Sequence, residues 1–298
     1  MKKIPVGATI AHAYRFAFGN FLTVLRAMWL PLAIQLGFTL LLLSRTTQFL
    51  SALQDKDPAA LSLFGPVLLL YPVILVLFFM QILAVTETAL GLRPATGWFY
   101  FPLGKKLWRL IGGFILAILA IAALITALFL VVILLGVLAH GRVAPSVAAI
   151  VAGVTILVTY AIIIFVAVRF LFMLAPVNIL EQRAGVGRAW LLSRGNFWRA
   201  LLVILSIVIP MGIVEYGAMF VLGGLPPFPH AGESAQAFQV ARMAWNIAVF
   251  SSMASHWYLV LPVMAVLMVL YFGAGCSSQV FAYRALTEDE GLVPIAGD

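Results

Sequence analysis

The chain has 298 residues, of which 64% are hydrophobic and 9% are charged, and its formal net charge is +8. Soluble domains carry roughly 45–50% apolar and about 25% charged residues, so the composition excludes an ordinary soluble protein. Lipid offers no partners for backbone polar groups, and continuous apolar runs without two-residue alternation favour helices over a barrel. The sequence therefore predicts an all-α, polytopic membrane protein.

Six apolar segments are long enough to cross hydrocarbon about 30 Å thick, which takes roughly 20 helical residues. They cover approximately residues 22–44, 66–90, 110–138, 146–168, 200–222 and 258–283. We number them as spans one to six. Together they predict a single integral membrane domain over residues 1–290, with a short tail over 289–298.

The sequence also contains two amphipathic segments, one at the start of the chain and one between spans five and six. Residues 5–26 place Ile10, Tyr14 and Phe18 three or four positions apart, which is typical of a helix lying in the membrane interface. The alternative is an ordinary first turn of a longer span. A second interfacial helix is predicted over residues 234–254, in the loop after span five.

The middle of the chain contains two local features that bear on helix packing. The Gly112-Gly113 pair, early in span three, would allow another helix to approach closely. After span four the apolar run either continues as helix or bends at Pro176 into the interface, and the sequence leaves both open.

The positions of the basic residues predict the orientation. With six spans, thirteen of the 18 Lys and Arg fall on the side of both termini: Lys2, Lys3, Arg15, Arg26, Arg93, Lys105, Lys106, Arg109, Arg183, Arg188, Arg194, Arg199 and Arg284. The opposite side receives Arg45, Lys56, Arg142 and Arg242. By the positive-inside rule the first side is cytoplasmic, which predicts a multi-pass membrane protein with both termini in the cytoplasm.

Short patterns recur along the chain. Gly19-Asn20-Phe21 is echoed by Gly195-Asn196-Phe197, and each copy follows an Ala-aromatic pair by the same distance. Residues 104–109, GKKLWR, resemble residues 195–199, GNFWR, and Glu87 with Gly91 repeats as Glu181 with Gly185. These echoes predict three hairpins, about residues 5–92, 93–182 and 183–288, each preceded by a cytoplasmic interfacial segment.

The segment from Arg169 to Arg199 carries a resemblance. Its Arg169, Ala175-Pro176, Glu181, Gly185, Ala189-Trp190 and Ser193-Arg194-Gly195-Asn196-Phe197-Trp198-Arg199 resemble the membrane domain of some bacterial glycerophosphodiester phosphodiesterases, and stand-alone six-helix inner-membrane proteins. After span six only about fifteen residues remain, too few for a catalytic barrel. We therefore expect no phosphodiesterase activity. We expect no other enzyme activity either, because no nucleophile with a base and an orienting group can be assembled from the sequence. The resemblance also implies a place in the bacterial inner membrane.

Ionisable residues within spans mark a candidate site, because they are costly in lipid. Helix register places Arg169, Glu87 and Glu181 in the same half of the membrane, which predicts that Arg169 contacts one of the two carboxylates. A structural ion pair and an anion or headgroup site at Arg169 both stay open. The four histidines lack ligand spacing, so we expect neither a metal nor another cofactor.

Basic and aromatic residues at the span ends predict contact with anionic lipid rather than with nucleic acid. The residues expected at headgroups are Arg15, Arg26, Lys105, Lys106, Arg109, Arg188, Arg194, Arg199, Trp108, Trp190 and Trp198. The first functional hypothesis is a non-enzymatic protein that binds or organises lipid. The second is a transporter or flippase-like carrier for a lipid or small anion, with Arg169 and Glu87 on its path. A membrane anchor for a separate enzyme is the third.

Overall fold

A computed structural model of the chain describes residues 2–54, 60–92, 99–139, 145–181, 185–228, 230 and 234–288. These residues form helices and contain no strand, which confirms the all-α prediction. The helices are α1 (Val6–Gly19), α2 (Phe21–Gln54), α3 (Ala60–Ala89), α4 (Lys105–Ala139), α5 (Pro145–Leu171), α6 (Leu174–Leu180), α7 (Val186–Leu192), α8 (Phe197–Gly223), α9 (Ala235–Ser255) and α10 (Trp257–Thr287).

Six helical stretches of the described residues are long and apolar enough to cross a membrane, which confirms the predicted number of spans. They are Phe21–Leu53, Leu68–Ala89, Lys105–Leu134, Gly153–Leu180, Phe197–Leu222 and Trp257–Thr287. The chain thus has the architecture of a multi-pass helical membrane protein. α1 and α9 are not among the six, and their predicted place in the interface stays a prediction.

The fourth stretch is interrupted rather than continuous. α5 ends at Leu171 and α6 begins at Leu174, with a turn over residues 172–173. Pro176 explains the position of the break, because its ring clashes with the carbonyl four residues earlier, that of Phe172. Pro176 itself lies in the first turn of α6, where a missing backbone N–H costs no helical hydrogen bond.

The chain divides into two compact units that do not follow the order of the sequence. The first comprises Met1–His12, Leu103–Ile204 and Ser278–Asp298, and in it α4 packs against α5, α6 and α7. The second comprises Ala13–Pro102 and Leu205–Ser277, and in it α2 packs against α3 and α9. Neither coincides with one of the three predicted hairpins, so the threefold plan stays a prediction.

The predicted helix over residues 5–26 is corrected to two helices that separate at Asn20. The Asn20 carbonyl accepts the N–H of Val24, the first bond of α2, at 2.9 Å. In the second unit the buried face of α1 consists of the small residues Ala13 and Ala17. A Cβ at Gly273 of α10 would lie 3.2 Å from the Cα of Ala17, so small residues allow a close approach here.

Candidate functional site

Arg169 lies in the last turn of α5 and binds the end of α7. Its Nη2 donates to the carbonyl of Trp190 at 2.8 Å, and its Nε donates to the Ser193 hydroxyl at 3.3 Å. The guanidinium carbon stands 3.7 Å from the centroid of the Trp190 ring, which is a close cation–π contact. The Phe165 ring lies on another side, 5.6 Å away. Neutral oxygens and aromatic faces therefore hold this arginine.

In this arrangement Arg169 does not pair with Glu181, which is one of the two carboxylates that the sequence predicted as its partner. The Glu181 carboxylate instead accepts from Arg188 Nε at 3.1 Å and from the Tyr283 hydroxyl at 3.2 Å. The physical reason is that α7 brings an oxygen and a flat ring to Arg169 together, while Arg188 lies only seven residues beyond Glu181. Glu87 belongs to the second unit, so its pairing with Arg169 stays a prediction.

Ser193, at the end of α7, also binds the backbone of α5. It is buried, and its hydroxyl lies 3.0 Å from the carbonyl of Arg169, to which it donates. Ser193 is also the residue at which α7 ends. Gly195 then adopts a φ of +74°, which glycine tolerates without strain, and the chain turns into α8. The Ser-Arg-Gly-Asn sequence is therefore a helix junction that binds the guanidinium of Arg169.

Asn196 binds the N-terminal segment of the chain. Its Oδ1 accepts the backbone N–H of Ile4 at 3.0 Å, and its Nδ2 donates to the carbonyl of Lys2 at 3.2 Å. Arg199 donates to the carbonyl of Ile4 at 2.8 Å, and the Ile4 side chain is fully buried. We call this arrangement the N-terminal clasp. At its outer end Lys2 pairs with Glu288 at 3.4 Å.

Asn178 of α6 forms a second polar contact inside the first unit. Its Oδ1 accepts the N–H of Gly185 at 2.7 Å, and the residue is buried. Its Nδ2 faces Gly113 of α4, where an added Cβ would stand only 2.2 Å away. Gly112 has open space around it. The predicted role of the glycine pair in close approach therefore belongs to Gly113 alone.

The predicted headgroup residues differ in exposure. Those that are exposed are Arg15, Arg26, Lys105, Lys106, Arg194, Trp108 and Trp198. Arg109, Arg188, Arg199 and Trp190 are half-buried, and the last three contact other parts of the first unit as described above. Contact with headgroups stays a prediction for both sets.

The second unit has polar groups buried within its apolar helices. Gln81 of α3 donates to Gln35 of α2, and both side chains are buried. Five and six residues further along α3, Thr86 and Glu87 are buried as well. Glu87 accepts a hydrogen bond from the Tyr100 hydroxyl. Glu87 and Glu181, which the predicted repeat would align, thus each bind a tyrosine hydroxyl.

Sequence reasoning missed Asn178 and the role of Asn196. Asn178 carries a signal, because it is a polar residue within the apolar run of residues 170–180, and such residues are expensive in lipid. The clasp has no local signal, because its partners are separated by 192 residues.

Comparison with known proteins yields no match. No family model, no curated protein and no solved structure matches the chain. The resemblance to the phosphodiesterase membrane domain thus depends on the pattern from Arg169 to Arg199. Among the described residues, His, Cys, Asp and Glu form no group of three or more that could hold a metal ion.

Proposed function

We propose that this chain is a non-enzymatic protein of the bacterial inner membrane that binds and organises anionic lipid along its cytoplasmic side. One observation carries the proposal: the first unit contains the beginnings of two spanning helices, and each begins with an exposed tryptophan beside basic residues. Trp108 in the first two turns of α4 is 58% exposed, and Trp198 at the start of α8 is 72% exposed. Lys105 and Lys106 open α4, and Arg194 precedes α8.

This combination suits the boundary between headgroups and acyl chains. Tryptophan places its ring at headgroup level, and each basic residue near an anionic surface contributes about 1 kcal/mol of attraction. Beyond its first turns, α4 presents an apolar surface. In the most apolar stretch of α4 only 6% of residues are buried inside the protein. Acyl chains are the natural neighbours of such a surface.

Co-purified lipid tests the proposal. The full chain is extracted from membranes, and the ratio of phosphatidylglycerol to phosphatidylcholine that it retains from mixed micelles is measured by native mass spectrometry. The double variant K105Q/K106Q should lower the preference for phosphatidylglycerol about thirtyfold, because two charges at roughly 1 kcal/mol each amount to about 2 kcal/mol. The matched control is R45Q/R242Q, which removes two exposed charges predicted on the opposite side.

Two outcomes would refute the proposal. The first is that the wild-type protein shows no preference for phosphatidylglycerol. The second is that both double variants lower this preference equally. A reporter fused after Lys106 gives an independent test, because the proposed orientation requires that this position be cytoplasmic.

A carrier for a lipid or small anion is the second candidate. The buried polar residues Gln35, Gln81, Thr86 and Glu87 of α2 and α3 favour it, because such residues in spans often line a transport path. In proteoliposomes a carrier would move fluorescent phospholipid between leaflets, and Gln81→Leu would abolish that movement. Movement that is absent from wild-type proteoliposomes would exclude this candidate.

A further inference from the structure

The guanidinium of Arg169 has donors to spare. A guanidinium carries five N–H donors in a fixed plane. The described residues occupy two of them, through the Trp190 carbonyl and the Ser193 hydroxyl. Those two bonds and the Trp190 ring fix the orientation of the plane, so the remaining N–H groups are held in place for a further acceptor.

A second positive charge lies close to the first. Arg194 directly follows Ser193, whose hydroxyl accepts a hydrogen bond from Arg169, so the backbone of Arg194 adjoins a residue that contacts the Arg169 guanidinium. Among the described residues, neither of these two arginines is paired with a carboxylate. Two like charges near each other repel, and an anion between them would remove that repulsion.

The surroundings fit a lipid ligand. Arg169 stands at the end of α5, beside the aromatic rings of Phe165, Phe170 and Trp190, of which the first is exposed and the other two are half-buried. Arg194 is exposed. A ligand bridging the two arginines would therefore have its charge at the polar end of the helix and apolar rings next to it.

We propose that Arg169 and Arg194 bind the phosphate group of an anionic phospholipid headgroup, with the Trp190 ring supporting Arg169. Planar guanidinium groups suit phosphate, because parallel N–H donors match its oxygens. The site rests on the proposed function, since it assigns one defined lipid position within a surface that otherwise attracts lipid diffusely.

Native mass spectrometry of the full chain, titrated with phosphatidylglycerol in micelles, resolves individual binding events. We expect one event to be tighter than the rest. Arg194→Gln should weaken that event about tenfold, as expected for the loss of one charge-assisted bond, and should leave the protein folded because Arg194 is exposed. Arg169→Lys, which keeps the charge but loses the planar fork, should weaken it as well.

Lys106→Gln is the matched control, because it removes an exposed charge outside the site. This variant should lower the affinity of the weaker binding events and leave the affinity of the tight one unchanged. If Arg194→Gln and Lys106→Gln have equal effects on every event, the site is refuted while the diffuse attraction stands. If the wild-type protein does not prefer phosphatidylglycerol to phosphatidylcholine, the proposed function fails first.

Two further ligands identify the recognised chemistry. Oleate supplies an anionic lipid without phosphate, and equal occupancy of the tight event by oleate would refute recognition of phosphate. Inorganic phosphate at millimolar concentration supplies the group without lipid. Displacement of the lipid would support a site for phosphate alone, and its failure to displace would support a site that requires the lipid headgroup.

Discussion

Asn196 holds the N-terminal segment by two hydrogen bonds, and Asn196→Ala removes both. The N–H of Ile4 is buried, and leaving such a donor unpaired costs about 1–3 kcal/mol. The partly buried bond to Lys2 contributes about 0.5–1.5 kcal/mol more. The alternative is release of the segment, which exposes the Ile4 side chain at a cost of about 1.5–3 kcal/mol. Release also breaks the bond from Arg199 to the Ile4 carbonyl, which contributes about 1.5–3 kcal/mol. The variant should therefore lower the free energy of release by roughly 2 kcal/mol, while the segment stays bound in most molecules.

Hydrogen exchange at the Ile4 amide measures this release directly. A loss of about 2 kcal/mol in protection corresponds to roughly thirtyfold faster exchange. Asn20→Ala is the matched control, because Asn20 occupies the equivalent position of the first Gly-Asn-Phe copy and its side chain is exposed. The control should leave exchange at Ile4 unchanged. Unaltered exchange in Asn196→Ala, or equal acceleration by the control, would refute the clasp.

Three further predictions concern stability, measured as the melting temperature of the full chain in detergent. Gly113→Ala should lower it, by about 1–3 kcal/mol of overpacking, whereas Gly112→Ala should leave it equal or higher, since alanine favours helix. Gly273→Ala should lower it too, while Gly275→Ala, with open space around the added methyl, should not. Glu181→Gln should lower the free energy of unfolding by about 1–2 kcal/mol, because Arg188 and Tyr283 would then donate to a neutral amide instead of a carboxylate. Equal effects within either glycine pair, or an unchanged Glu181→Gln protein, would contradict the packing described.

The helices could be predicted from sequence because a long apolar run has one stable form in lipid. The break before α6 was only half predictable. Pro176 indicated a bend, because its ring clashes with the carbonyl four residues earlier, that of Phe172. Such a proline can either kink a helix or break it, and which of the two occurs depends on tertiary packing.

The face on which a membrane helix packs is harder to predict. For α1 the larger residues Ile10, Tyr14 and Phe18 suggested one face, yet the α1 residues that are buried in the second unit are Ala13 and Ala17. Lipid is as apolar as leucine, so hydrophobicity does not distinguish the interior from the surface, and close approach favours small residues.

The partners of Arg169 could not be predicted from the sequence, for a different reason. Helix register gives the depth of a side chain but not its neighbour, so a carboxylate at the same depth was the expected partner. The contact with Trp190 depends on how α7 folds back along α5, which involves residues 21 and 24 positions later. Such a return is a property of tertiary structure and leaves no periodic trace in the sequence.

The clasp also affects how the protein is made. Asn196 and Arg199 are synthesised almost two hundred residues after Ile4. During that interval Lys2 and Ile4 lack their final partners, and long-range contacts of this kind form slowly. A bulky fusion joined directly to Met1 would hinder formation of the bonds between Ile4 and its partners Asn196 and Arg199, whereas one attached after Asp298 would leave these bonds unaffected.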